Sequence, residues 1–596
     1  MRFFPTVIAS LFGTLIAFGV IFFFLLLLIA GLSTAGKTAP SVRPGSVLVV
    51  PISGRIPESA PENPFQVVLA GPGRVTLHQI TRAIRNAADD DRISAIWLKP
   101  SGSANSWAAL EELTSALSDF RSSGKPIVAS SGASGYSEKD FFLAMSADHV
   151  FSPPAAYFEL NGFVIVLQFV KQLFDKLDIE VEVVRAGNFK SAVEPFLRDH
   201  ASDENREQLR ALLDAHSDLF IDTIVARRNL QPGTVLDLID QAKVTSAEQA
   251  LEAGLIDSLI TDDDVSDFLI PLTGHEGWLR TTFVDAYARS NPGSGGTEGT
   301  VAIVNAFGTI VSGKSSRDGN PLFSGTNVGS ATLTEFLKKV RDDESIDAVV
   351  VRINSPGGSA AASDVIWRAI KKTGEVKPVV ASLGGVAASG GYYIAAAADT
   401  IIAERTTLTG SIGVFTLLLN VSGLLEDKIG LTHDAIKSGP YADMFTGLRS
   451  LSDNERAILA DGVDRTYDRF TALVAEGRGM PIEDVHSIAQ GRIWAGSDAL
   501  RLGLIDTLGG LYDAVRIAAL AAGLGEDNYG IRTYPRPRGL FEQLTELVES
   551  TGASVLDRFS GSGPAEWFAM HVRVLNAASD IHGSPQAMLP MTVSVE

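Results

Sequence analysis

The sequence predicts an α/β fold built twice over, preceded by an N-terminal transmembrane helix. Three observations carry that prediction. Short β-branched runs alternate with amphipathic helical stretches through most of the chain. Segments of the first half reappear in the second half, in the same order and at a nearly constant spacing. The first 36 residues hold no charge beyond Arg2.

The apolar core of that opening segment, about residues 6–32, includes Phe22-Phe23-Phe24 followed by Leu25-Leu26-Leu27-Leu28. As a helix rising ~1.5 Å per residue it is roughly 40 Å long, more than the ~30 Å hydrocarbon layer requires. The expectation is an uncleaved anchor over residues 1–36 in contact with the lipid bilayer, since a cleavable leader has an apolar stretch of only ~7–15 residues. The rival is cleavage at Ser33-Thr34-Ala35. Arg2 before the span, and Lys37 and Arg43 after it, leave the orientation undecided by charge bias.

Two large units follow, 47–288 and 301–534, joined by the Gly/Ser/Pro-rich linker 289–300. Val47–Gly54 matches Val301–Gly308, Ile93–Leu98 matches Ile346–Val351, Lys125–Ser130 matches Lys377–Ser382, and Ala253–Asp257 matches Leu502–Asp506. The offsets are 254, 253, 252 and 249, the mark of a tandem duplication. Runs such as Ala348–Ile353 and Pro378–Ser382 read as strands buried on both faces, with Ala360–Lys372 between them as a crossover helix. Each half is therefore expected to hold parallel βαβ units. Past about Tyr534 the pattern fades. Pro535-Arg536-Pro537-Arg538 breaks it, Leu540–Ser550 reads as a helix, and residues 535–596 form a C-terminal extension with no assigned role.

Composition narrows the function. With 45% hydrophobic and 20% charged residues the chain folds. A formal net charge of −20 repels phosphate backbones, so nucleic acid is not an expected partner. The absence of cysteine excludes disulfides, thiolate metal sites and a cysteine nucleophile. No metal-ligand cluster and no cofactor motif is found, and the acidic runs Asp89–Asp91 and Asp262–Asp264 read as solvated faces.

Two turns have the make-up of an acyl-transfer site. In Ser382–Tyr393 a strand leads through small residues to an expected helix, Tyr392–Ala398, with Ser389 near its start. Unpaired amides there suit an oxyanion forming on a substrate joined to the serine. The alternative is a glycine-rich turn with an incidental serine, and G-x-S-x-G is absent because Ala387 holds its first glycine position. Asn354-Ser355-Pro356-Gly357-Gly358, after the strand at Ala348–Ile353, offers further amides or is a plain turn. A serine nucleophile needs a base. None of the nine histidines lies in a recognisable motif. Lys190 sits among small and apolar residues after the strand-like run Glu180–Val184, where burial would lower its pKa; the alternative is a solvated surface lysine.

Together these residues resemble the signal peptide peptidase A family, membrane-anchored serine proteases of the S49 type, over about residues 47–510. The resemblance rests on A-G-N-F-K-S-A-V-E-P (186–195), N-S-P-G-G (354–358), A-S-G-G-Y-Y (388–393) and L-T-G-S-I-G-V (408–414). It implies crotonase/caseinolytic-protease-like domains and a Ser–Lys dyad with Ser389 as nucleophile and Lys190 as general base. It implies oxyanion amides from Gly357, Gly358 and Gly390, with Ser411 and Ser191 as residues that orient the lysine. It further implies a homotetramer on the periplasmic side of a bacterial inner membrane, cutting signal-peptide remnants and other hydrophobic peptides. The alternatives are a membrane-tethered peptide-binding scaffold and a crotonase-type acyl-CoA enzyme.

The duplication points to one composite site. The 252-residue offset carries Lys190 onto Ala442, and an offset of 251 carries Ser389 back onto Glu138, or with a one-residue slip onto Ser137. Lys99–Ser103 stands where the second half has N-S-P-G-G, without paired glycines. One half keeps the lysine; the other keeps the serine and the glycine loop.

Overall fold

The computed structural model describes residues 42–59, 75–274, 277–290, 298–315, 327–525, 528–535 and 586–588, with single residues at 13, 17, 19, 20 and 296. The expected bilayer span at 6–32 lies outside the described residues except for those four near its start, and the expected helix Leu540–Ser550 lies wholly outside them. Among the described residues no helix is long and apolar enough to cross a membrane.

The first half contributes β1 (Ser46–Gly54), β2 (Ile93–Ser103), β3 (Ile127–Ser130), β4 (Gly135–Tyr136), β5 (His149–Ser152), β6 (Tyr157–Phe158), β7 (Glu180–Ala186), β8 (Ser258–Leu259) and β9 (Thr281–Phe283). Val47-Leu48-Val49-Val50 of β1 is buried on both faces, which a β-branched run achieves when helices cover both sides of a parallel sheet. One of these helices, Leu77–Ala88, starts at a capping box between Thr76 and Gln79 and buries Leu77, Ile80, Ile84 and Ala87. The sheet runs β8-β5-β3-β2-β1-β9, all parallel.

The second half contributes β10 (Thr300–Phe307), β11 (Thr309–Val311), β12 (Asn327–Gly329), β13 (Ala348–Ser355), β14 (Gly357–Ser359), β15 (Val379–Ala388), β16 (Thr400–Ala403), β17 (Leu408–Gly410), β18 (Val414–Asn420), β19 (Ile493–Ala495), β20 (Thr507–Leu508) and β21 (Gly530–Tyr534). The path β20-β16-β15-β13-β10-β21 repeats the order of the first sheet strand for strand. Details repeat too. Arg228 pairs with Asp257 at 2.8 Å and Arg478 with Asp506 at 2.5 Å. Asp257 and Asp506 each accept from a strand amide, of Val150 and Ile401, at 2.7 Å. Helices Asp203–Arg228 and Asp453–Arg478 are both 26 residues long.

Two elements depart from the sequence reading. The strand expected to stop at Ser382 runs on to Ala388, because Val386–Ala388 find a second partner in β17. The following helix spans Gly390–Ala395 rather than Tyr392–Ala398. Asp262–Asp264 is the largely solvated face expected, with Asp264 closing a capping box with Thr261 and Asp262 pairing with Lys99 at 2.5 Å.

The halves are joined by strand pairing. β7 belongs to the first half in sequence but pairs antiparallel with β18 of the second, from Glu180↔Asn420 to Ala186↔Val414. These two strands and β12, β11 and β14 form a third sheet, whose remaining strand, β22 (Gln586–Met588), comes from the C-terminal extension. A buried ion cluster seals the seam nearby. Arg352 of β13, 1% exposed, donates to Glu112 at 2.5 Å and to Glu58 at 3.0 Å.

Candidate active site

β7 ends at Ala186, and the Gly187–Lys190 turn that follows packs on the second half. The Phe189 amide donates to the Gln490 carbonyl at 2.8 Å. Gly491 has no room for a side chain, since a Cβ there would stand 2.7 Å from Lys190 Cβ. This close approach drives the lysine inward. Its Nζ lies 2.7 Å from Ser389 Oγ, 3.0 Å from Ser411 Oγ and 3.1 Å from the Ser411 carbonyl. Lys190 and Ser389 are both 0% exposed. Loss of hydration alone pushes the Lys190 amine well below the usual lysine range.

Ser389 caps the helix Gly390–Ala395 with φ +55°, a strained value for a non-glycine residue and the sort found where a side chain must be aimed. The bend presents Oγ to the lysine while the Ser389 amide donates to the Gly410 carbonyl at 2.8 Å. That bond occupies the Ser389 amide and leaves the next one, of Gly390, as the oxyanion candidate at this turn. Gly390 opens the helix, where the first amides have no intrahelical partner. Gly357 and Gly358 lie on β14, held beside the serine because Gly391 lacks a side chain: a Cβ there would come within 2.6 Å of the Ser355 carbonyl oxygen. The Gly357 amide donates to Ser355 Oγ at 3.2 Å.

Ser411, after β17, lies in the site; Ser191 faces elsewhere. Its Oγ accepts from Gln208 Nε2 at 2.8 Å, and Gln208 also donates to the Phe189 carbonyl and accepts from the Ile493 amide. Gln208 thus holds the lysine turn against the second half. Sequence reasoning passed over it, since a glutamine in a long helix carries no signal. Glu58 was missed likewise: it accepts from Asn354 Nδ2 at 2.7 Å, and Asn354 in turn accepts from the Val386 amide, tying the N-S-P-G-G loop to the first half.

The first half keeps the relic of a second site. Its counterpart of Ser389 is Ser137 and not Glu138, because Ser137 takes the N-cap place of the matching helix, Glu138–Ala144. Ser137 Oγ donates to Asp140 at 2.7 Å, and the Asp140 carboxylate accepts from the amides of Gly102 and Ser103 at 2.8 and 3.0 Å. The amides matching the glycine loop are therefore filled by the chain's own carboxylate. At the second-half counterpart of the lysine turn, Lys437 pairs with Asp443 at the surface.

Comparison with known proteins agrees with this architecture. The description "Peptidase family S49" matches residues 119–271 and again 371–525, and "Clp protease" matches residues 326–411, so the fold is Clp-protease-like with tandem S49 repeats. "Serine protease SPPA, chloroplastic" of Arabidopsis thaliana is 35% identical over 523 residues, covering 86% of this chain and 74% of that one. "Protease 4" of Salmonella typhi is 35% identical over 464 residues, covering 75% and 72%, and "Protease 4" of Haemophilus influenzae is 30% identical over 518 residues, covering 83% and 82%. A duplicated match over half the chain, with relatives aligned across most of both lengths, leaves the scaffold and acyl-CoA alternatives behind: the chain belongs to peptidase family S49 and is a serine peptidase.

Proposed function

We propose that Ser389 and Lys190 are the nucleophile and general base of this peptidase. The observation that carries the reading is the 2.7 Å approach of Nζ to Oγ in a pocket with no exposure of either residue. A neutral amine has one lone pair and two N–H groups. It can accept from the Ser389 hydroxyl while donating to the two oxygens of Ser411 that lie within 3.1 Å. Oγ attacks a peptide carbonyl as Lys190 takes its proton, and the C–N bond breaks with that proton passing to the leaving amine. Water, deprotonated by Lys190, then hydrolyses the acyl-serine. The oxyanion donors are the amides of Gly358 and Gly390, with that of Gly357 joining them once it releases Ser355 Oγ.

The substrates are apolar peptides, signal-peptide remnants among them. The uncharged run at 6–32 anchors the chain to a bacterial inner membrane with the body on the periplasmic face, as a homotetramer. Supporting this are the length of the run and the likeness to the family.

The test is hydrolysis of an apolar fluorogenic peptide by the purified full-length chain. Lys190→Ala and Ser389→Ala should each lower kcat/KM by about 10³-fold or more while the fold persists. Near-normal cleavage by either variant refutes the assignment.

A further inference from the structure

β13 and β15 run in register as far as Ile353↔Leu383 and resume at Ser355↔Ala387, so a step of two residues on β13 answers a step of four on β15. The surplus is a bulge at Gly384-Gly385-Val386. A bulge beside a site re-aims the chain that follows it, and here that chain carries Ser389, three residues on. Asn354 spans the bulge. Its Oδ1 accepts from the Val386 amide at 3.2 Å, and a Cβ on Gly384 would stand 3.1 Å from Asn354 Cβ. The Val386 amide can only donate, so the side-chain carbonyl of Asn354 faces it and the NH2 group points the other way.

That NH2 group meets Glu58 of the first half. Residues two apart on a strand share a face, and the Glu58 carboxylate takes one such pair with one oxygen each: Arg352 Nε at 3.0 Å and Asn354 Nδ2 at 2.7 Å. The brace is fixed at its base. The Ile56 amide donates to Asn105 Oδ1 at 2.8 Å, and the Leu77 amide to the Pro57 carbonyl at 3.0 Å. The repeat offsets of 253 and 254 put Ser101 at the place matching Asn354 and Ser312 at the place matching Glu58, so the matching places carry neither amide nor acid.

We propose that Glu58 is a positioning residue of this peptidase: it fixes the Asn354 side chain, and through it the bulge that aims Ser389 and the loop that carries Gly357 and Gly358. The role given to Ser389 rests on the dyad reading above; the brace itself does not. A carboxylate only accepts, and the two atoms it meets only donate, so a glutamine there would turn its NH2 group on Arg352 or on Asn354. The same reasoning supplies a rescue. With Glu58→Gln and Asn354→Asp together, the new amide NH2 donates to the new carboxylate, whose other oxygen still accepts from the Val386 amide, and the new amide carbonyl accepts from Arg352 Nε. Net charge is unchanged.

The experiment measures kcat and KM on an apolar fluorogenic peptide for the full-length chain, Glu58→Gln, Asn354→Asp and the double variant, with Ser389→Ala alongside. Each single substitution should lower kcat about tenfold and move KM by less than about twofold, and the double variant should return to within about twofold of the parent. Urea unfolding gives the folded fraction to which each rate is referred. Should Glu58→Gln fail to fold, Glu58→Ala takes its place as the single variant, since water reaches this partly exposed position. A parental kcat in the single variants, a loss lying in KM instead, or a double variant no better than the singles overturns the inference, and Ser389-dependent hydrolysis then still upholds the dyad. Recovery in the double variant with hydrolysis undiminished by Ser389→Ala upholds the brace and sinks the dyad.

Discussion

Lys190 carries a cost that an ordinary surface lysine avoids: it is stripped of water, and that loss pushes its amine well below the usual lysine range. Catalysis by the proposed dyad needs the neutral amine, so kcat/KM should rise with pH through the lowered Lys190 pKa and level off above it. Stability has a linked sign. The unfolded chain binds a proton at this amine up to pH ~10.4, while the folded chain releases it well below that. Stability therefore increases with pH between those two values, and below that window the group costs the most. Lys190→Met, similar in length and without charge, should abolish hydrolysis yet stabilise the chain by ~1–2 kcal/mol at pH 7, the gain shrinking towards pH 10. Urea denaturation at the two pH values measures this, and a gain undiminished at pH 10 would show that packing and not protonation is responsible.

At the scale of elements, the active half and the relic half are the same strand–turn–helix unit with different fillings. In the active half Gly391 lets the β13–β14 corner lie against the serine helix. Gly391→Ala should push Ser355 and β14 outwards and lower kcat on the order of 10²-fold with little change in KM, as expected when reacting groups move by about 1 Å. In the relic half the Asp140 carboxylate satisfies the Gly102 and Ser103 amides and the Ser137 hydroxyl. Asp140→Ala strands these donors, and urea denaturation should show a loss of ~2–4 kcal/mol. The specific activity of the folded fraction should stay intact if the proposed Ser389–Lys190 dyad alone carries the chemistry.

Across the whole molecule, the halves meet over strand pairing and an acidic seam. Glu111 accepts from the Thr406 and Arg405 amides, Glu112 pairs with Arg352, and Glu404 is buried beside both. Burial first, then the charges of Glu111 and Glu112, push the Glu404 carboxyl well above its usual range. Its folded pKa exceeds its unfolded one, so its contribution is fully present below about pH 4.3 and is lost as pH rises through the folded value. Glu404→Gln should therefore be more stable than the parent by ~1–2 kcal/mol at pH 8 and no more stable at pH 4, as thermal unfolding at both pH values will show. Equal stability at pH 8 would mean that Glu404 holds no proton there.

The alternation of strands and helices, the duplication, and Lys190, Ser389 and Ser411 as candidates were legible because each depends on nearby residues: periodicity, repeated segments and short motifs. Most contacts between residues far apart were not legible: the approach of Lys190 to Ser389 across 199 positions was expected only through the resemblance and the duplication, and that of Glu58 to Asn354 across 296 was not expected at all. Gln208 holds the lysine turn, the Ser389 amide is spent on Gly410, and Ser137 rather than Glu138 matches the serine. The sequence by itself determined two copies of one βαβ unit and the residue types of one divided site. Only the tertiary structure decided that β7 crosses to pair with β18, and that pairing desolvates the amine beside the hydroxyl. Register and burial arise from packing between distant segments, which no local pattern encodes.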